Sequence, residues 1–161
     1  KRRNGTALSP AEVGEQIRRF FESETESIEP VAGAAAALAA LSARAQILVL
    51  SNVPMPALAA RARWLVRHGM DYPLVANIGR KGPALRHLAA RAGRPVLFID
   101  DIPHNLTSAA EHAPGVLRVQ YIADPRLAQA TPPCPDCHHR AADWADIRAF
   151  AEARIGAASA A

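Results

Sequence analysis

Three stations along the chain carry side chains suited to holding a phosphoryl group and a divalent cation. The first is Ser51-Asn52, directly after the apolar run Ile47-Leu48-Val49-Leu50. The second is Lys81. The third is the carboxylate pair Asp100-Asp101, directly after Val96-Leu97-Phe98-Ile99. A hydroxyl and backbone N–H groups bind phosphate oxygens. An ammonium neutralises charge that grows in the transition state, and carboxylates hold a hard cation such as Mg2+. Each residue type also has an ordinary use, as a turn or cap serine or a solvated surface lysine. Two features set these residues apart. Lys81 is the only lysine after position 1 in a chain that otherwise carries 17 arginines, and a compact ammonium does not substitute for a planar guanidinium. Adjacent carboxylates repel each other unless a cation or donor offsets the cost, and a helix cap accounts for only one of the two.

A second cluster is Cys134-Pro135-Asp136-Cys137-His138-His139. Cys-x-x-Cys-His matches the c-type haem attachment pattern, and two thiolates with His138 are zinc-ligand types. Residues 137 to 139 do not readily all turn inward onto one tetrahedron, so a polar loop before the last helix is the expected role.

Composition sets the frame for these sites. The chain has 161 residues, half of them apolar and 21% charged, enough for one α/β domain with a real core. Its net charge of +4 is scattered rather than striped, and only eight aromatics are present, so no nucleic-acid partner is expected. No apolar run approaches the roughly 20 residues of a membrane span. Lys1-Arg2-Arg3-Asn4-Gly5 leads into a polar helix rather than a signal segment. The two cysteines lie too close together to suggest an oxidised scaffold. The expected setting is cytoplasmic, with no membrane partner.

The elements that must position the sites alternate. Ser9-Pro10-Ala11-Glu12 is a capping box that opens a helix with Val13, Ile17, Phe20 and Phe21 at helical spacing. The acidic stretch 22–29 ends it. An Ala-rich helix runs from Pro30 to about Arg44. Residues 47–50 then read as a strand buried on both faces. Pro56 to His68 is a helix, Pro73 to Ile78 a short strand, and Pro83 to Ala92 a helix stopped by Gly93. Residues 96–99 are a second fully apolar strand, followed by a helix from Asn105 to His112. Along 116–122, Leu117, Val119 and Tyr121 alternate with Arg118 and Gln120, which predicts one wet face and a position at or near an edge. Residues 124–140 read as a Pro-rich loop. Asp143 caps a last helix that packs Trp144, Ile147, Phe150 and Ala151, and the Ala-rich tail after Gly156 frays. This alternation predicts a parallel sheet with helices on both faces, and chemistry at the C-terminal ends of its strands.

With the stations placed on those ends, a family resemblance emerges. Ser51, then Lys81, then Asp100-Asp101, with 30 and 19 residues between them, resemble motifs II, III and IV of the haloacid dehalogenase (HAD) superfamily. Residues 47–52 resemble motif II. Lys81, with Pro83 and a helix behind it, resembles motif III, although Gly82 stands where the family often has Pro. Residues 96–101, followed by Asn105, resemble the Asp-Asp form of motif IV. The stretch Pro30-Val31-Ala32-Gly33-Ala34 resembles the lead into motif II. The likeness covers about residues 30–125.

The resemblance implies a three-layer, Rossmann-like sheet and a Mg2+-dependent hydrolase of small phosphorylated metabolites that works through an aspartyl-phosphate. Ser51 and the Asn52 backbone would hold phosphoryl oxygens, Lys81 would stabilise charge, and Asp100 with Asp101 would hold Mg2+. It further implies an Asp-x-Asp at the end of a central strand lying between residues 47–50 and 96–99. No Asp-x-Asp occurs in the chain, and no Asp precedes Asp71. The expectation is therefore a fragment without turnover of its own. Residues 1–29 would be the remnant of a small helical cap, 30–156 the core domain and 157–161 a frayed tail.

Two other readings are weighed against this one. One is a non-catalytic module of the same fold. The other, a dinucleotide-binding domain, is disfavoured because no Gly-x-Gly-x-x-Gly follows any strand. Receiver domains use the same residue types but place the acidic pair first and the lysine last.

Overall fold

The computed structural model describes residues 6–93 and 95–159. Ser9 caps α1 (Pro10–Glu24) through a reciprocal box: Glu12 N–H donates to Ser9 Oγ, and Ser9 N–H donates to the Glu12 carboxylate. α2 (Ala34–Ser42) starts later than Pro30, because Gly33 takes the left-handed backbone, φ 80°, just ahead of it. Next come β1 (Val49–Ser51), a 3-10 turn at Met55–Ala57 and α3 (Leu58–Arg67). β2 (Leu74–Ala76), α4 (Gly82–Ala92), β3 (Leu97–Asp100) and α5 (Pro103–His112) follow. The chain continues through β4 (Leu117–Gln120), α6 (Pro125–Ala130), β5 (His139–Arg140) and α7 (Trp144–Ser159).

All strand pairings are parallel. β1 pairs with β2 in one sheet, and β3, β4 and β5 pair in that order in another. Strand alternation then builds two faces. Val49 points to Ala34 of α2 and to Trp64 and Leu65 of α3. Its neighbour Leu50 joins Leu85 of α4 and Leu106 and Ala109 of α5. In the other sheet Phe98 joins that same α4–α5 cluster, whereas Leu97 and Ile99 meet Ile147 and Phe150 of α7. α4 packs on α5 and α2 on α7, so helix pairs cover both faces of both sheets. The expected α/β class, with helices on both sides of parallel strands, is the observed one. No helix among the described residues is long and apolar enough to cross a membrane.

Chain direction reverses between the sheets. From β1 the chain moves outward to β2, then returns through α4 to β3 and moves outward the other way to β4 and β5. β1 and β3 are thus the inner strands. They share the cluster containing Leu50 and Phe98, yet among the described residues neither pairs with the other, and each has one edge without a strand partner. Such a reversal is the topological switch point at which open α/β sheets bind ligands.

Several expectations from the sequence are corrected. The runs at 47–50 and 96–99 are only partly buried, with Leu48 exposed and Phe98 the sole fully buried member. Their inner edges lack a neighbouring strand that would complete the enclosure. β4 stands one place in from the edge, as expected, but has no wet face. It lies between β3 and β5, and Arg118 and Gln120 are 8% and 0% exposed. The segment 124–140 is not a featureless loop, since it forms α6 and β5 and folds back to satisfy those two side chains. Arg118 donates to the carbonyls of Pro114, Val116 and Asp136. Gln120 donates to Pro132 O and accepts from Cys134 N–H. α7 runs on to Ser159; residues 160–161, and residues 1–5, read as no signal segment, lie outside the described residues.

Gln120→Ala tests this arrangement. It strands a buried N–H and C=O and opens a cavity, so chemical denaturation should show a loss of at least about 2 kcal/mol. A change within about 0.5 kcal/mol would mean that the face is wet after all.

Candidate functional site

The C-terminal ends of β1, β2 and β3 present the three stations. Asp100 ends β3 with its side chain 2% exposed. Lys81, 14% exposed, stands immediately before α4, and its Nζ lies 2.7 Å from Asp100 Oδ2. Asp100 Oδ1 accepts from the Ile102 N–H at 2.8 Å and from Asn105 Nδ2 at 3.1 Å. The carboxylate is therefore held by three donors, one of them charged, which is what a buried carboxylate requires. The Lys81 ammonium also lies 5.8 Å from the centre of the Phe98 ring, within cation–π reach. Asn105, singled out in the sequence only as a companion of the acidic pair, orients that carboxylate.

Asp101 has a different environment. Its side chain reaches the surface. Partial desolvation first, and then the charge of Asp100, raise its pKa above the ordinary aspartate range, while Lys81 pulls it down. The two carboxylates are thus unequal partners, one clamped and one open.

Position and backbone of Lys81 are set by Gly82. A Cβ at Gly82 would overlap the backbone carbonyl of Ser108 in α5. The start of α4 presses directly on α5, and only glycine permits it. This accounts for Gly82 standing between Lys81 and Pro83.

Ser51 and Asn52 sit across the switch point. Ser51 Oγ accepts from Val53 N–H at 3.3 Å, the hydrogen bond of a serine turn. Ser51 O accepts from Asn77 N–H at 2.8 Å and extends the β1–β2 ladder. Asn52 Nδ2 donates to Gly79 O at 2.8 Å, and Asn77 Nδ2 donates to Asn52 Oδ1 at 2.7 Å. The Asn52 side chain therefore fastens the loop that leads to Lys81, a positioning role that leaves its backbone N–H as its group for a ligand. Residues Asn52–Met55 and Ala76–Gly79 enclose a cleft of about 300 Å3 beside this fastening. No hydrogen bond among the described residues joins Ser51 to Lys81 or Asp100. The structure directly joins Lys81, Asp100 and Asn105, and it places Ser51-Asn52 at the facing strand end.

The donor chemistry bears on a cation. Asp100 and Asp101 offer hard carboxylate oxygens, as Mg2+ prefers. Asp100 Oδ2 keeps a second lone pair beside its bond to Lys81. No group of three or more His, Cys, Asp or Glu side chains able to hold a metal exists among the described residues. The pair fits a cation completed by water and ligand oxygens, not a closed protein cage. Cys134, Cys137 and His138 are likewise not gathered into such a group among the described residues. His138 Nδ1 is taken by Arg118 N–H at 3.0 Å, and His139 Nε2 lies 2.8 Å from Asp146.

Comparison with protein-family models, with curated proteins and with solved structures gave no match.

Two measurements probe this site. Lys81→Met leaves the Asp100 carboxylate buried without its counter-charge, and urea denaturation should show a loss of about 3–5 kcal/mol. Asp100→Asn in the same background should recover part of it. Asp101→Asn should raise the thermal midpoint at pH 7. The folded-state pKa of Asp101 lies above its unfolded value, so ionisation costs stability as pH rises through that range, and the gain from Asn should vanish below about pH 4. A gain that persists at pH 3 would assign the effect to something other than this charge.

Proposed function

We propose that these residues are the phosphate- and cation-binding half of a HAD-type phosphohydrolase acting on a small phosphorylated metabolite. The observation that supports it most is the Lys81–Asp100 pair, 2.7 Å apart, set at the switch point beside the open edges of β1 and β3. An ammonium and a carboxylate held together there, with a serine hydroxyl on the facing strand end, match the needs of phosphoryl transfer: positioning and charge neutralisation.

In this reading a further parallel strand lies between β1 and β3 and ends in two carboxylates. One attacks phosphorus and forms an aspartyl-phosphate, and the other moves the proton of the leaving group and of the attacking water. Ser51 Oγ and the Asn52 N–H orient the phosphoryl oxygens. Lys81 keeps its ammonium between Asp100 and the transferring group, where negative charge accumulates. Asp100 and Asp101 would hold Mg2+, which supplies charge neutralisation to the phosphoryl oxygens. The helix α1 then belongs to a small cap. Its Val13, Ile17 and Phe20 face is exposed, and α1 touches the 3-10 turn after β1, close to the proposed site.

One observation favours a second reading, a non-catalytic module of the same fold. Every oxygen of Asp100 already accepts a hydrogen bond, so the site is stable without a cation.

The experiment separates them. A polypeptide that includes the Asp-x-Asp strand should release phosphate from an aryl phosphate only with Mg2+, and Lys81→Ala should slow it at least about 100-fold. The 161 residues alone should show no turnover. Absence of Mg2+-dependent release from an aryl phosphate and from a panel of phosphorylated metabolites would overturn the hydrolase reading and leave the module.

A further inference from the structure

The Cys134–Cys137 turn lies outside the proposed site and is built with unusual rigidity for a surface segment. Cys137 N–H donates to Cys134 O at 3.2 Å, closing a four-residue turn with Pro135 at its second position, where proline presets the backbone. Such a turn brings its first and last Cα atoms within about 7 Å, the span that a disulfide bridges. Three of its four residues, all but the exposed Pro135, are tied to the core. Cys134 N–H donates to the fully buried Gln120. Asp136 accepts from Thr107 Oγ1 of α5 at 2.7 Å, and its carbonyl accepts from the Arg118 guanidinium at 2.7 Å. Cys134 is buried in the α4–α5 cluster and Cys137 packs against that cluster, half-buried. Desolvation first, and then the neighbouring Cys134 thiol, push Cys137 up to about 12.

Among the described residues no third His, Cys, Asp or Glu side chain is gathered with the two thiols, and His138 Nδ1 already accepts from Arg118 N–H. What two thiols held in one closed turn can do without a third ligand is join.

We propose that Cys134 and Cys137 are a dithiol–disulfide site that reacts with low-molecular-weight disulfides such as oxidised glutathione. Cys137, the more accessible sulfur, attacks as its thiolate and expels one glutathione thiolate, forming a mixed disulfide. Cys134 loses its proton, attacks the Cys137 sulfur and expels the second glutathione thiolate. Two protein thiols become one disulfide, and one glutathione disulfide becomes two glutathione thiols. Because thiolate is scarce at neutral pH, the exchange is slow and speeds up with alkalinity. The site is poised by equilibrium and is not a rapid sensor. The bond would lock the turn that covers Arg118 and Gln120, and with it the β4–β5 half of the molecule.

Equilibration with reduced and oxidised glutathione, followed by acid quench, alkylation and mass spectrometry, tests it. The folded chain should show a species about 2 Da lighter, with no glutathione attached and two thiols protected. Its oxidation constant should exceed that of the same chain in guanidinium chloride by about tenfold, which by linkage raises the thermal midpoint by roughly 3–6 °C. Asp136→Ala, which releases the Thr107 tie, should bring the folded constant toward the unfolded one, and Cys137→Ala should abolish the light species. A folded constant no larger than the unfolded one, or accumulation of glutathione adducts without closure, would overturn the proposal.

Discussion

A buried ion pair at the mouth of an open seam organises this protein. Lys81 and Asp100 come from opposite sides of the chain reversal, one from the end of the β2–α4 loop and the other from the tip of β3. A charge pair removed from water is stable only if its remaining polar capacity is met. Much of the surrounding architecture meets it. Ile102 and Asn105 at the start of α5 complete the carboxylate, and the Asn52–Asn77–Gly79 hydrogen bonds hold the loop that delivers the ammonium. Gly82 lets α4 approach α5 closely enough for the two charges to meet. The packing of α4 on α5 is therefore both hydrophobic core and electrostatic scaffold. The proposed phosphoryl chemistry would use a contact that the fold already needs.

Local signals in the sequence located most elements and the three stations. Capping residues, helix-stopping glycines and continuous apolar runs are properties of short segments, and they placed α1, α3, α4, β1 and β3 within a few residues. The errors share one cause. Arg118 and Gln120 alternate with apolar residues, and alternation within one strand cannot distinguish water from a distant loop as the partner of its polar face. That loop lies up to 18 residues further on, and its carbonyls and one N–H, with the carbonyls of Pro114 and Val116, satisfy the strand in place of solvent. The same long-range folding turned the supposed loop at 124–140 into α6 and β5. Burial of the apolar runs at 47–50 and 96–99 was overestimated for the opposite reason, since residue type reports what a strand tolerates and not whether a neighbour is present.

Within the site, residue types identified which groups gather but not how they share the work. The sequence marks Asp100 and Asp101 as a pair without saying how their surroundings differ. In the structure one is clamped by three donors and the other reaches solvent with a raised pKa. Asn52 drew notice for its backbone, and its side chain proves to be a brace. Gly82 follows from a backbone approach that no local pattern encodes.

The short β5 has a consequence for self-association. An unpaired strand edge templates pairing with another chain, and proteins blunt such edges with brevity and proline. β5 is two residues long and follows Pro132, Pro133 and Pro135, so the outer border of the larger sheet offers almost no template. The border formed by β5 is thus guarded against fibrillar stacking, whereas the inner edges of β1 and β3 are backed by helix pairs on both faces and have no strand partner among the described residues.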